Sequence, residues 1–136
     1  MSRPSSRSSR APVAAPCAAT NIVVLCGTVT AAPVHRDLPS GGVVVQFDVR
    51  TDPGAAGPTR SVSVPVAWTD PPAAALRPVT AGTEVVVAGT VVRRFFRVGG
   101  ATQSRTEVVP DAVVPQRRTK QVAALLAAGI ERLASS

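Results

Sequence analysis

Arg60-Ser61-Val62-Ser63-Val64-Pro65-Val66-Ala67-Trp68-Thr69-Asp70-Pro71-Pro72-Ala73-Ala74-Ala75-Leu76 reads as a strand, a sharp turn and a short helix in direct succession. Val62, Val64 and Val66 alternate with Ser61, Ser63, Pro65 and Ala67. That two-residue period marks a strand with one apolar face. Pro65 has no N–H to give to a ladder, which places the strand at a sheet edge or a bulge. Asp70 is suited to accept from the free N–H groups of a helix start, and proline suits the first turn. Pro78 then limits the helix to about two turns.

Working outward toward the C-terminus, a long strand from Glu84 to Arg97 meets Gly99-Gly100 and continues as a strand from Ser104 to Val109. Two strands joined by a short glycine loop make a hairpin. In the other direction, Asp52-Pro53-Gly54-Ala55-Ala56-Gly57-Pro58 is a loop, and a strand runs before it from Val43 to Thr51. The turn Pro39-Ser40-Gly41-Gly42 separates that strand from a first one, Ile22 to Thr30, in which Gly27 signals a bend or a close backbone approach. Strand, strand, strand, short helix, strand, strand is the order of the five-stranded OB barrel, an all-β fold. Topology alone admits other small barrels.

The domain so defined spans residues 21–114. Ahead of it, residues 1–20 carry Arg3, Arg7 and Arg10 among Ser, Pro and Ala without an apolar period, and are expected to form a disordered basic arm. Behind it, in residues 115–136, Val122, Leu125, Leu126, Ile130 and Leu133 recur at steps of three and four from Thr119 onward. They form the apolar stripe of an amphipathic helix, which Gly129 weakens by about 1 kcal/mol relative to alanine. The stripe needs a partner, supplied by the barrel itself, a sister subunit or a foreign protein.

The net charge is +7, and Lys120 is the only lysine, so arginine carries nearly all of it. Such a field attracts polyanions, nucleic acid first, although a GC-rich coding bias enriches Arg, Val and Ala in the same way. Cys17, Cys26 and the single histidine, His35, are too few to form a zinc site, so neither a metal nor a cofactor is expected. No constellation for acid–base or nucleophilic catalysis is present. No stretch has the length and apolarity of a membrane span, and a cytoplasmic, nucleoid-associated protein is expected.

Asn21 to Val29, Pro33-Val34-His35-Arg36, Ser40-Gly41-Gly42, Val43 to Val49, Ala67-Trp68, Gly82 to Val91 and Arg105-Thr106-Glu107-Val108-Val109 follow one another in a telling order. In that order and spacing the chain resembles the bacterial single-stranded DNA-binding proteins over about residues 21–114. The resemblance implies non-sequence-specific binding of single-stranded DNA by base stacking on aromatic rings and phosphate guidance by basic residues, in replication, recombination or repair. Stacking tolerates RNA as well. It also implies a homo-oligomer, a dimer or a tetramer.

Strand parity counted from Gly89 puts Phe96 on the outer face with Arg94 and turns Phe95 toward the barrel. Phe96 is therefore the expected stacking ring, and Trp68 matches a second aromatic position of the family. Arg50, Arg60, Arg93, Arg94 and Arg97 are the expected phosphate field.

Three departures stand against the pattern. Two further stacking positions fall near Ala55 and Val62, which are not aromatic. Family parity would put Val62, Val64, Val66 and Trp68 on the nucleic-acid face, whereas the binary pattern sends them to the core. Where the family's recruiting members usually carry an acidic tail with an apolar tip, this chain has Arg117-Arg118-Thr119-Lys120 and the amphipathic helix. The alternative function is thus an assembly module that binds protein through that helix. Exposed aromatic rings beside arginines favour nucleic acid; buried ones favour the module.

Overall fold

In the computed structural model, which describes residues 19–52, 54 and 60–135, strands dominate. The elements are β1 (Val23–Val29), β2 (Val34–Asp37), β3 (Val43–Thr51), β4 (Val62–Thr69), α1 (Ala73–Leu76), β5 (Glu84–Val98), β6 (Ala101–Pro115) and α2 (Thr119–Ser135). The expected basic arm lies, apart from its last two residues, outside the described residues.

The strands pair in a ring. β1 lies antiparallel to β5, β5 to β6, and β3 to β4. A single parallel pair, Val66↔Val108, joins β4 to β6, and Thr28↔Arg50 with Val29↔Val49 returns β1 to β3. These five strands with α1 between β4 and β5 have the OB-fold order. β4 meets β6 only at that one pair, so Pro65 sits beside a nearly open seam, in keeping with its missing donor.

β2 is a sixth strand. It pairs with β3 from Val34↔Gln46 to Asp37↔Val43, and all four of its residues are exposed. With no buried face, Val34-His35-Arg36-Asp37 shows no apolar alternation and gives no strand signal of its own.

Gly27 stands where β1 changes partner, since Cys26 still pairs with Val86 while Thr28 meets both Glu84 and Arg50. A Cβ there would overlap the Arg50 carbonyl oxygen, so only glycine lets the two backbones come together. Gly89 marks a second close approach, against the Val109 carbonyl oxygen. Beside it, Ala88 pairs with Ala112 and Gly89 with Pro110, leaving Asp111 as the extra residue of a bulge in β6.

The core is built largely from valine: Val29, Val45, Val49, Val66, Val79, Val85, Val87, Val108 and Val113, with Phe47 and Trp68 as its two aromatic rings. Val45 faces Trp68, Phe47 faces Val66, and Val49 faces Val64 across β3 and β4. The binary pattern therefore decides the orientation of β4. Its valine row and Trp68 look inward, and its outward row is Ser63, Pro65, Ala67 and Thr69.

Asp70 does not cap the short helix. The cap position is Pro72, without a side-chain hydrogen bond, and the helix is a single turn. Asp70 adopts φ 49° and serves the other end of the loop. Its Oδ1 accepts from the Val43 N–H at 2.9 Å, while its own N–H donates to the Val43 carbonyl at 2.7 Å. The carboxylate thus fixes the start of β3, a use that aspartate's tolerance of left-handed backbone allows.

α2 packs on β5 and β6. Val122 and Leu125 are half-buried, while Ile130 and Leu133 remain 66% and 56% exposed. Arg132, in the last turn, reaches Asp111 of the bulge at 3.0 Å.

Candidate nucleic-acid interface

β5 and β6 are longer than the ring they belong to. Past Val108, which meets Val66 of β4, no other strand pairs with them, and residues 93–106 are exposed throughout. The hairpin therefore stands out from the barrel as a two-stranded arm ending at Gly99 and Gly100, both at positive φ. The turn's left-handed backbone suits glycine.

Register along the arm sorts its side chains. Arg94 lies opposite Arg105, Phe96 opposite Gln103, and Val92 opposite Glu107, so these share one face. Arg93 and Phe95 share the other, where the Arg93 guanidinium lies 5.7 Å from the Phe95 ring centre and donates to Ser104 Oγ at 3.1 Å. Phe95 turns to the barrel side as parity requires, but the arm has passed beyond the core there. Phe95 is consequently 68% exposed, more than Phe96 at 41%.

The Phe96 face is one wall of a groove of about 380 Å³, lined by Arg36, Gln46, Arg94, Phe95, Phe96, Arg105 and Glu107. β2 and β3 form the opposite wall. A second hollow, of about 220 Å³, shares Arg36, Gln46 and Arg105 and extends past Asp48 to Thr30 and Ala31. Gln46, Asp48 and Arg50 are alternate residues of β3 and continue along the outward row. A channel with aromatic and arginine walls thus crosses the outer sheet surface.

Glu107 lies at its floor. The residue is 1% exposed and is the buried charged residue among the described residues. Arg94 Nε approaches Oε1 to 2.5 Å and Arg105 Nε approaches Oε2 to 3.6 Å. Two arginines directly opposite each other on a hairpin repel, and the carboxylate between them offsets that repulsion. Oε1 nonetheless has no hydrogen-bond donor, because the close Arg94 N–H is not aligned on it.

The residues expected from sequence divide accordingly. Arg94 and Phe96 lie in the groove. Arg93 is on the opposite face of the arm, and Arg97 Nη2 is held by the Gly100 carbonyl at 2.9 Å, at the arm's tip. Arg50 is exposed at the end of the β3 row, and Arg60 is exposed ahead of β4. Trp68, expected as a second stacking ring, is 6% exposed and belongs to the core. Val62 continues the inward row of β4, and Ala55 lies outside the described residues.

Arg36, Gln46, Arg105 and Glu107 were not among the expected site residues. Pairing outward from Gly99-Gly100 sets Arg105 against Arg94, so Arg105 was within reach of the sequence. Arg36 lies on β2, which gave no signal, and Gln46 lies on β3 opposite Val34 of that strand.

Among the described residues no cluster of His, Cys, Asp or Glu is placed to hold a metal ion. Cys26 is a free, exposed thiol. No helix among them is long and apolar enough to cross a membrane.

A ring of five strands in OB-fold order, with an open groove of arginine and aromatic side chains beside it, defines the class: an OB-fold protein. Residues 20–116 match the single-strand binding protein family, and the chain belongs to that family. Single-stranded DNA binding is its function. No curated protein matches the chain. Among solved structures it is similar to the Plasmodium falciparum SSB in complex with ssDNA, at 17% identity and a TM-score of 0.59, covering 74% of this chain and 97% of that one.

Proposed function

We propose that single-stranded DNA lies in the groove between the β5–β6 arm and β2–β3, with bases stacked on Phe96 and phosphates met by Arg36, Arg94, Arg105 and Arg50. The observation that carries this reading is the coincidence of exposed rings and guanidinium groups on one open concave surface. Exposed phenylalanine has no role in holding the barrel, and each base stacked on such a ring is worth about 1–3 kcal/mol. With one aromatic wall and Trp68 in the core, the protein acts as an accessory binder in replication, recombination or repair rather than by tight wrapping. It is a binding protein, not an enzyme, and its site is cytoplasmic at the nucleoid.

Titrating a labelled dT oligonucleotide at several salt concentrations tests the reading. Log K should fall with log salt at about 0.7 per phosphate neutralised, so four contacting arginines give a slope near −3. Affinity that is flat over the same salt range contradicts the groove.

A second function is favoured by α2, whose Ile130 and Leu133 remain in water after the helix has docked on its own barrel. This remaining stripe is suited to a sister subunit in a homodimer or homotetramer. Cutting the chain after Gln116 should then reduce the oligomer's mass in sedimentation. Unchanged mass, with Tm unchanged as well, would transfer the stripe to a foreign protein partner.

A further inference from the structure

We infer that Glu107 gives the groove a base preference, favouring bases with an exocyclic amino donor over thymine. The inference rests on the groove reading above and adds a specificity to it. A carboxylate oxygen without a hydrogen-bond donor is costly where water is excluded. Glu107 Oε1 is such an atom, and it lies in the floor of a hollow of about 380 Å³ whose walls carry Phe96 and Phe95.

Arg94 covers the oxygen in the free protein, and its side chain is 54% exposed. A phosphate at the groove's rim offers that guanidinium an aligned, charge-assisted pair that Glu107 does not. When Arg94 turns outward to it, Oε1 becomes the acceptor at the floor. A base stacked on Phe96 then presents its edge to a carboxylate that Arg105 continues to neutralise.

Cytosine supplies an N4 amino donor in that position, and glutamate accepting from cytosine N4 is an established pairing in DNA recognition. Thymine presents O4, an acceptor, and two acceptors repel. The outcome is a graded preference for cytosine over thymine, not the reading of a sequence motif.

The test compares dC and dT oligonucleotides of one length by anisotropy, with the full chain and with Glu107→Gln. The ratio of dC to dT affinity should be about fivefold larger in the natural protein than in the variant. The ratio is the readout because losing the carboxylate's charge between Arg94 and Arg105 changes the affinity for both oligonucleotides alike, whereas losing the acceptor for N4 acts on dC alone. An equal ratio in the two proteins overturns the inference. To remove dependence on the variant's folding, the natural protein is also titrated with an oligonucleotide of N4,N4-dimethylcytosine, which lacks the donor. It should bind about as weakly as dT, and binding as tight as dC overturns the inference. If the natural protein binds none of the three, the groove reading itself has failed; if it binds all three equally, only the base preference has.

Discussion

The β5–β6 hairpin has two regions made from the same two strands. At its root, Val85, Val86 and Val87 are buried, with Val113 and Pro115 beside them on β6. At its tip, from Arg93 to Thr106, no side chain is buried. The root is an interior wall of the ring, whereas the tip has only solvent and the groove around it. Aromatic residues therefore have two meanings in this chain. Phe47 and Trp68 fill the barrel, and Phe95 and Phe96 are held in the open on a two-stranded arm. Burial decides which rings stabilise the barrel and which are left exposed.

The largest effect that could break this comparison belongs to Trp68. Trp68→Ala should destabilise the fold by about 3–5 kcal/mol in urea unfolding, the usual loss for a core aromatic. A variant with native stability and lost DNA affinity would return Trp68 to the binding face. Next in size, Phe96→Ala should weaken dT binding by about 1–3 kcal/mol while leaving Tm unchanged. Phe95→Ala should cost less, because its ring sits with Arg93 on the far face of the arm; the reverse ranking would place the strand on that face.

A smaller effect is expected at the edge of the root. Asn21 closes β1 onto β5 by donating from Nδ2 to the Val91 carbonyl at 2.7 Å and accepting from the Val91 N–H at 2.9 Å. Asn21→Ala should remove about 1 kcal/mol of stability, the net worth of an exposed hydrogen-bonded pair. Binding at the tip should be unaffected, and a joint loss would show that root and tip act as one. Smallest of all, Arg36→Gln should reduce the salt slope of binding by about 0.7 with no change in Tm. An unchanged slope would remove β2 from the groove.

The sequence made the root far more legible than the tip. Alternation of valines in β4, the glycine turn at Gly99-Gly100 and the prolines around α1 each have a local cause, and the ring follows from their order. Orientation of Trp68 was in conflict between the family pattern and the apolar period, and packing against Val45 resolved it. Asp70 reads locally as a helix cap, but its partner, Val43, lies 27 residues away. β2 was invisible, since an exposed strand has no apolar period, and with it went one wall of the groove. Glu107 was visible only as a lone acid in a valine strand; its burial between two arginines depends on hairpin register and on the wall that β2 supplies.

The proposed path of the strand runs along the arm and not across the barrel wall that contains Trp68. Anisotropy titration of a labelled dT oligonucleotide with the Phe95→Ala/Phe96→Ala double variant tests it most directly. At fixed low salt the affinity should fall by roughly fivefold or more, the worth of one stacked base at the low end, in a protein whose Tm matches the natural chain. Affinity within about twofold of the natural protein would contradict it.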